Sequence, residues 1–347
     1  MIFTIATLKE VKTMNSLFKH IHQGRYSLSK DSAIHPFWIM VKKEISDHVR
    51  SWRFFILIAI IALTCFSSVY TAIANMEKMA RPEDTEDAFF FLKLFTISDG
   101  TMPSYLVLIS FLGPLLGISL GFDAINSEQN RGTLSRILSQ PIYRDSILNA
   151  KFIGSLTVIG ILLFALGFLV MGIGLVVIGI PPTAEEFLRI VSFILMGIIY
   201  VAFWLNLSIL FSVRFRQPAT SALSGISVWL FFIIFYPMII NLISKMIEPS
   251  VTDSLQQITN YNKLITGLMG VLPNDLFSVA STTLLRPSVR SLGTLSTEQL
   301  YGAIAGPLPL SQSIMLVWAQ VTGLIAATVI CFILSYTAFM RKEIRSR

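Results

Sequence analysis

Apolar residues fall into six long blocks along this chain: Phe54–Ala74, Ser104–Gly121, Phe152–Ile178, Phe187–Val213, Ala219–Ile243 and Ser313–Met340. A helix needs roughly twenty mainly apolar residues to cross a bilayer, so the pattern predicts six transmembrane helices. The ten-residue alternation of an outer-membrane barrel is absent. The third block carries Gly154, Gly160, Gly167, Gly172 and Gly174, which is read as close helix packing rather than as a hinge. Before the first block, Trp38, Val41, Ile45, Val49 and Trp52 recur every three or four positions. Lys42, Lys43, Glu44, Asp47 and Arg50 fill the intervals. That spacing predicts an amphipathic helix over 36–53, lying in the inner headgroup layer with its tryptophans at the interface.

The last interval, 244–312, is neither a span nor a polar loop. Its apolar patches Ile265–Leu272, Leu276–Leu285 and Tyr301–Leu310 are broken by Pro273, Pro287, Pro307 and Pro309. Disordered segments carry far fewer apolar residues. Short helices that dip back toward the bilayer or cap the outer mouth are expected, with Asn274 and Asp275 after Pro273 as a helix start.

Composition narrows the class further. The 347 residues are 54% hydrophobic and 14% charged, with a mean hydropathy of +0.70, whereas soluble domains carry about 25% charged residues. The net charge of +7 does not imply nucleic acid, because the basic residues sit at the ends of apolar blocks. With both termini on one side, 19 of the 27 lysines and arginines fall on that side, which predicts cytoplasmic termini. The first outer loop instead holds Glu77, Glu83, Asp84, Glu86, Asp87 and Asp99. Residues 1–35 have no apolar signal core and read as a cytoplasmic extension, with Met14 as an alternative start. Cys65 and Cys331 lie in apolar blocks, as small hydrophobes rather than a disulfide or a metal pair.

Between the second and third blocks runs FDAINSEQNRGTLSRILSQPIYRDSILNAK, residues 122–151. Asp123 and Glu128 close the second span, Gly132 allows a turn, and Thr133–Ser139 forms a short helix with Leu134, Ile137 and Leu138 on one side. Pro141 ends it, and Arg144, Asp145 and Lys151 lead into the third span. A short element with apolar residues beside charges suits insertion into a partner's groove.

No phosphate-binding loop, H-E-x-x-H or C-x-x-C occurs, and nothing groups a nucleophile with a base. His20, His22, His35 and His48 all lie before the first span, where a solvated or interfacial role is the default and no metal site is expected. The spans are nearly free of ionisable residues, unlike those of ion-coupled carriers. Their polar candidates are Asn206, Ser208, Tyr200, Ser224 and Ser227. Energy for transport would therefore come from another polypeptide.

The segment FDAINSEQNRGTLSRILSQPIYRDSILNAKFIG resembles the stretch between the second and third spans of ABC-2 type permeases. Asp123, Glu128, Gly132, Thr133, Leu134, Pro141, Arg144, Lys151 and Gly154 match its pattern, and Ala150 stands where that family often has glycine. The lead-in with Lys43, Glu44 and Arg50 is similar to the family's elbow helix. Leu272-Pro273-Asn274 and Leu285-Arg286-Pro287 resemble its re-entrant hairpin before the sixth span. The likeness covers about 36–347 and is strongest toward the copper-enzyme-maturation and gliding-motility permeases, although no outer Met, His or Cys cluster supports a copper role.

The resemblance implies an all-α membrane protein with six transmembrane helices, an elbow helix over 36–53 and a permease domain over 54–347. It also implies a homodimer bearing two ATP-binding cassette subunits, with ATP and Mg held by those partners and no cofactor or enzymatic activity in this chain. Thr133–Ser139 would be the coupling helix, with Glu128 and Arg144 holding or orienting it. The expected location is the cell membrane of a prokaryote, among membrane lipids and with an outer or accessory protein as a further partner. Asn206, Ser224 and Tyr236 are pathway candidates, although helix pairing is the plainer reading of each. The expected function is ATP-driven export. The alternative is a membrane subunit that passes ATP-driven motion to an outer partner without moving solute.

Overall fold

The computed structural model describes residues 36–79, 89–98, 102–140, 143–179, 181–249, 255–288 and 307–342. The extension 1–35, Pro141 and the acidic residues Glu83, Asp84, Glu86, Asp87 and Asp99 lie outside them. Among the described residues there are helices and no strands. They are α1 Pro36–Val49, α2 Trp52–Met79, α3 Phe90–Thr96, α4 Tyr105–Gly121, α5 Asn126–Asn130, α6 Thr133–Leu138 and α7 Arg144–Ile178. There follow α8 Ala184–Arg214, α9 Pro218–Leu230, α10 Tyr236–Ile247, α11 Leu255–Met269, α12 Pro273–Leu285, α13 Leu310–Leu316 and α14 Trp318–Arg341.

Six of these units are long and apolar enough to cross a membrane, one in each predicted block. The fifth consists of α9 and α10 joined by a π-helical turn, Phe231–Phe235. Pro237 follows that turn and has no N–H to donate one turn back, so the wider loop absorbs the missing bond.

The fourth span, α8, is the hub. It packs against α4, α7, α9, α12 and α14, and 67% of its most apolar stretch is buried, against 11% for the fifth span. The tightest seam runs along Gly113, Gly117 and Gly121 of α4. A Cβ at Gly117 would stand 2.8 Å from the Val201 carbonyl, and one at Gly121 2.8 Å from that of Leu205. Glycine at every fourth position thus brings two backbones into contact. Pro114, one turn after Ser110, leaves the Ser110 carbonyl without its usual helical donor. The Tyr200 hydroxyl supplies one at 2.9 Å.

The third-span glycines divide. Added Cβ atoms would meet Glu44 at Gly154, Ile194 at Gly167 and Leu94 at Gly174, all inside 3 Å. Gly172 faces open space, and Gly160 has one neighbour at 3.8 Å. Continuous α7 packs through three of its five glycines.

α11 and α12 meet at 109°. Pro273 starts α12, as its position in the sequence predicts, yet this helix is more than a cap. Phe277, Ala280, Ser281 and Leu284 are buried against α4, α8 and α14. Asn274 reaches the middle of α8, where its side-chain oxygen accepts a bond from Ser110 and lies 3.2 Å from the Tyr200 hydroxyl.

Candidate functional site

The polar segment between the second and third spans is anchored at four places, on three other helices and one turn. Ser212, near the end of α8, accepts bonds from the backbone N–H groups of Ile125 (2.9 Å) and Asn126 (3.2 Å), which seats α5. Asn130 donates to the Arg216 carbonyl at 2.9 Å. Gly132 then adopts the left-handed conformation (φ 70°), which only glycine takes without strain, and α6 begins. Thr133 donates to the Glu128 carbonyl at 3.2 Å and closes the turn. At the far side, Arg144 donates to the Met340 and Lys342 carbonyls and stacks over Phe339, 5.3 Å from its centroid. It therefore ties the start of α7 to the end of α14.

The fourth anchor is α1. Lys151 is almost fully buried and bridges Glu44 of α1 (3.0 Å) and Glu128 of α5 (2.9 Å). Lys43 approaches Glu44, Glu128 and Asp47 at 3.2, 3.5 and 3.1 Å. Burial alone would lower the Lys43 pKa, but Glu44, Glu128 and Asp47 together hold it above its ordinary value. Burial would likewise raise Glu44, yet Lys151 and Lys43 keep its carboxyl below the usual range. Arg53 donates to Asp123 at 2.8 Å, joining α2 to the end of α4. These charges surround a cleft of about 520 Å³ bounded by α1, α2, α4, α5 and α6.

The apolar stripe of α1 divides between the protein and its surroundings. Val41 is buried and Glu44 points in beside it, whereas Trp38, Val49 and Trp52 are exposed. At Gly154 the missing side chain lets α1 cross α7 closely, with Glu44 Cβ only 2.8 Å from where a Cβ would stand. His48, one turn beyond Glu44, is half-buried beside the cleft. It meets Ser155 at 2.9 Å, and burial depresses its pKa.

One expectation is corrected at α6. Leu134 is 1% exposed and belongs to the protein's own core, so it seats the helix rather than entering a partner. Ile137 and Leu138 are half-buried beside it. The edge left outward is Ser135, Arg136, Ser139 and Gln140.

These contacts bring together Lys43, Glu44, Asp123, Glu128, Gly132, Thr133, Leu134 and Lys151, with Arg50 on the cleft wall. Asn206, Ser224 and Tyr236 stand apart from them and from each other. Asn206 is buried between α8 and α14, donating to the Thr328 carbonyl and accepting at its own carbonyl from Ser335. Ser224 bonds within its own helix to Thr220, and Tyr236 donates to the Leu268 carbonyl of α11.

A family model described as an ABC-2 family transporter protein matches residues 38–344. The chain belongs to that family. Two curated relatives carry the name probable ABC transporter permease protein NosY. The protein from Stutzerimonas stutzeri is 23% identical over 297 residues, covering 83% of this chain and 95% of its own. That from Pseudomonas aeruginosa is 24% identical over 207 residues, covering 58% and 68%. The protein is therefore a multi-pass membrane subunit of an ABC transporter. In this ABC-2 family the membrane subunit is non-catalytic, and ATPase activity resides in an ATP-binding cassette partner.

At the opposite end of the bundle lies a cluster that the sequence reading passed over. Arg189, inside the predicted fourth span, is fully buried. Its guanidinium donates to the Leu284 carbonyl (2.9 Å), Ser313 (3.2 Å), the Leu308 carbonyl and Glu185 (2.9 Å). Next to it, Glu186 forms a capping box with Thr183 and accepts the Phe91 N–H at 2.9 Å. Two signals for these sites are present in the sequence: the Thr183-x-x-Glu186 box, and a lone arginine among apolar residues.

Proposed function

We propose that this chain is the permease subunit of an ATP-driven exporter, with α6 as the coupling helix that an ATP-binding cassette subunit grips. The observation that carries the reading is the seating of the α5–α6 segment on the end of α8 through Ser212 and, through Glu128, on Lys151 of α7 and Lys43 of α1. A push on the outward edge, Ser135, Arg136, Ser139 and Gln140, is delivered to those helices together. Two copies of the chain form a homodimer, and the partners hold ATP and Mg. The α1 end faces the cytoplasm of a prokaryotic cell, in keeping with its excess of lysine and arginine.

Exposed apolar residues of the second span, Val107 and Phe111, and of the fifth, Leu223, Phe231 and Phe235, offer the surface for the second copy. Closure of the ATP-binding subunits would draw the coupling helices together and reset the paired spans around a shared pathway.

The test is a cysteine cross-link between Ser139→Cys and the ATP-binding subunit in membranes. An assembled complex that never cross-links at Ser135→Cys or Ser139→Cys overturns the assignment, as does labelling of Ser139→Cys from outside. In the reconstituted complex, Glu128→Ala and Arg144→Ala should keep ATP hydrolysis while losing most coupled transport. Full coupling in both would remove their assigned role.

A second reading has one observation of its own. Arg189 welds α12 and α13 to the start of α8, so any tilt of α8 carries the α11–α12 pair with it. Such motion could act on an outer partner without solute flux. ATP-dependent movement of that pair in liposomes lacking flux would favour this reading.

A further inference from the structure

The cleft at the α1 end holds more cationic charge than its own carboxylates use. Asp47 pairs with Lys43, Asp123 with Arg53, and Glu44 and Glu128 with Lys151, each within 3.1 Å. Arg50 and Arg131 also line the cleft. Neither guanidinium has a carboxylate within ion-pair distance among the described residues, and both are exposed. Arg53 uses a single N–H toward Asp123, which leaves further donors on its fork. The opening of about 520 Å³ is within the size range of small-ligand sites.

Its position is as telling as its charge. Arg50 and Arg53 flank the break between α1 and the first span, α2, where basic residues at the end of a span meet anionic headgroups. Directly along α2, Trp52 is 77% exposed and Phe55 and Ile56 are about half exposed. An apolar ramp therefore leads away from a cationic cleft. A soluble anion would use only the cleft, whereas an amphiphile would use both.

We propose that this cleft binds the phosphate headgroup of an anionic phospholipid, with Arg50, Arg53 and Arg131 as phosphate ligands and the Trp52–Phe55 ramp carrying an acyl chain. Guanidinium forks suit phosphate oxygens, and anionic lipids draw basic residues at the membrane surface. Thr133 and Ile137 of α6 form part of the same cleft. The bound headgroup thus touches the inward side of α6, opposite Ser135 and Arg136, and links the lipid composition of the leaflet to the position of that helix.

The test is lipid retention by the full-length protein extracted from nanodiscs, compared by native mass spectrometry. One set of discs contains phosphatidylglycerol and phosphatidylcholine in equal amounts. The wild type should retain phosphatidylglycerol preferentially. The double variant Arg50→Gln/Arg131→Gln should lose that preference by about thirty-fold, the effect of two surface cations on an anionic headgroup. Arg214→Gln/Arg341→Gln removes the same charge from exposed positions elsewhere on the α1 end and should retain it. Equal losses in the two double variants would mean diffuse attraction and overturn the site. Delipidated protein that binds inorganic phosphate yet shows no preference for phosphatidylglycerol would overturn the lipid assignment in favour of a soluble anion. The assay requires no ATPase partner, so it succeeds or fails independently of the transport reading.

Discussion

Both ends of this bundle bury a cation, but they do so differently. At the α1 end, Lys151 lies between two carboxylates, Glu44 and Glu128, beside an open cleft. At the α12 end, Arg189 has no exposure and is surrounded by the carbonyls of Leu284 and Leu308, with Glu185 and Ser313 completing its shell. A lysine ammonium is a compact charge on a flexible stem, and it stays satisfied while its partners shift. An arginine fork has fixed directions and is satisfied only when each acceptor holds its place. The first arrangement suits a junction that must transmit displacement. The second suits a clamp that must resist it.

The strongest way to break this contrast is to empty the clamp. Arg189→Met leaves two carbonyls and Glu185 without their buried donor and should cost about 3–5 kcal/mol, read as thermal unfolding in detergent. Arg189→Lys should recover little of that, because one ammonium cannot span the same acceptors. Wild-type stability in the lysine variant would show that the fork geometry is immaterial.

Lys151→Met should cost less, about 2 kcal/mol, since the cleft admits water and Lys43 remains beside both carboxylates. Adding Glu44→Gln to Lys151→Met should restore part of the loss. Strict additivity in that double-mutant cycle would mean that α1 and α7 are not coupled through this pair. Gly132→Ala should cost about 1 kcal/mol through its positive φ alone, as nothing lies within 4 Å of the new methyl group.

The smallest effect separates the two ends by pH. Folded His48 binds its proton less readily than the ordinary value of 6.5 because it is buried. The stability it permits is therefore complete above that value and declines as pH falls through it. Glu44 adds a second loss at lower pH, below its ordinary value of 4.5, because its folded carboxyl is held ionised. Amide protection in α1, taken relative to the intrinsic exchange rate at each pH, should fall between pH 7 and 5 while that of α12 stays unchanged, and His48→Gln should flatten the response. An equal loss of protection in α12 would contradict a local origin.

The polar segment shows how far the chain can be read in one dimension. Gly132 as a turn, Thr133 as a helix start and Pro273 as another are local properties of dihedral freedom and missing donors, and they hold in the structure. The inward burial of Leu134 was not legible, because an apolar residue on a short helix suits a partner's groove and the protein's own core equally. The division of the α1 stripe was not legible for a related reason. Periodicity marks Trp38, Val41, Ile45, Val49 and Trp52 as one apolar face, but lipid satisfies tryptophan as well as protein does. The face that packs meets Gly154, more than a hundred residues away.

A repeated signal was nonetheless present and went unread. Gly113, Gly117 and Gly121 stand at every fourth position of the second span, the spacing that brings helix backbones together. Arg189 was visible too, as a charge inside an apolar block, but its acceptors lie 95 and 119 residues away.

By itself the sequence determined the six spans, the break at Gly132 and the resemblance of residues 122–154 to a coupling segment. Each depends on hydrophobic length, backbone freedom or a short motif, all carried by neighbouring residues. Only the tertiary structure decided which faces of those spans meet protein and which meet lipid. In a membrane both environments are apolar, so hydrophobicity cannot distinguish the hub α8 from the exposed fifth span. Distant partners make that choice: Glu44 with Lys151, Ser212 with Ile125, and Arg189 with the carbonyls of α12 and its following loop.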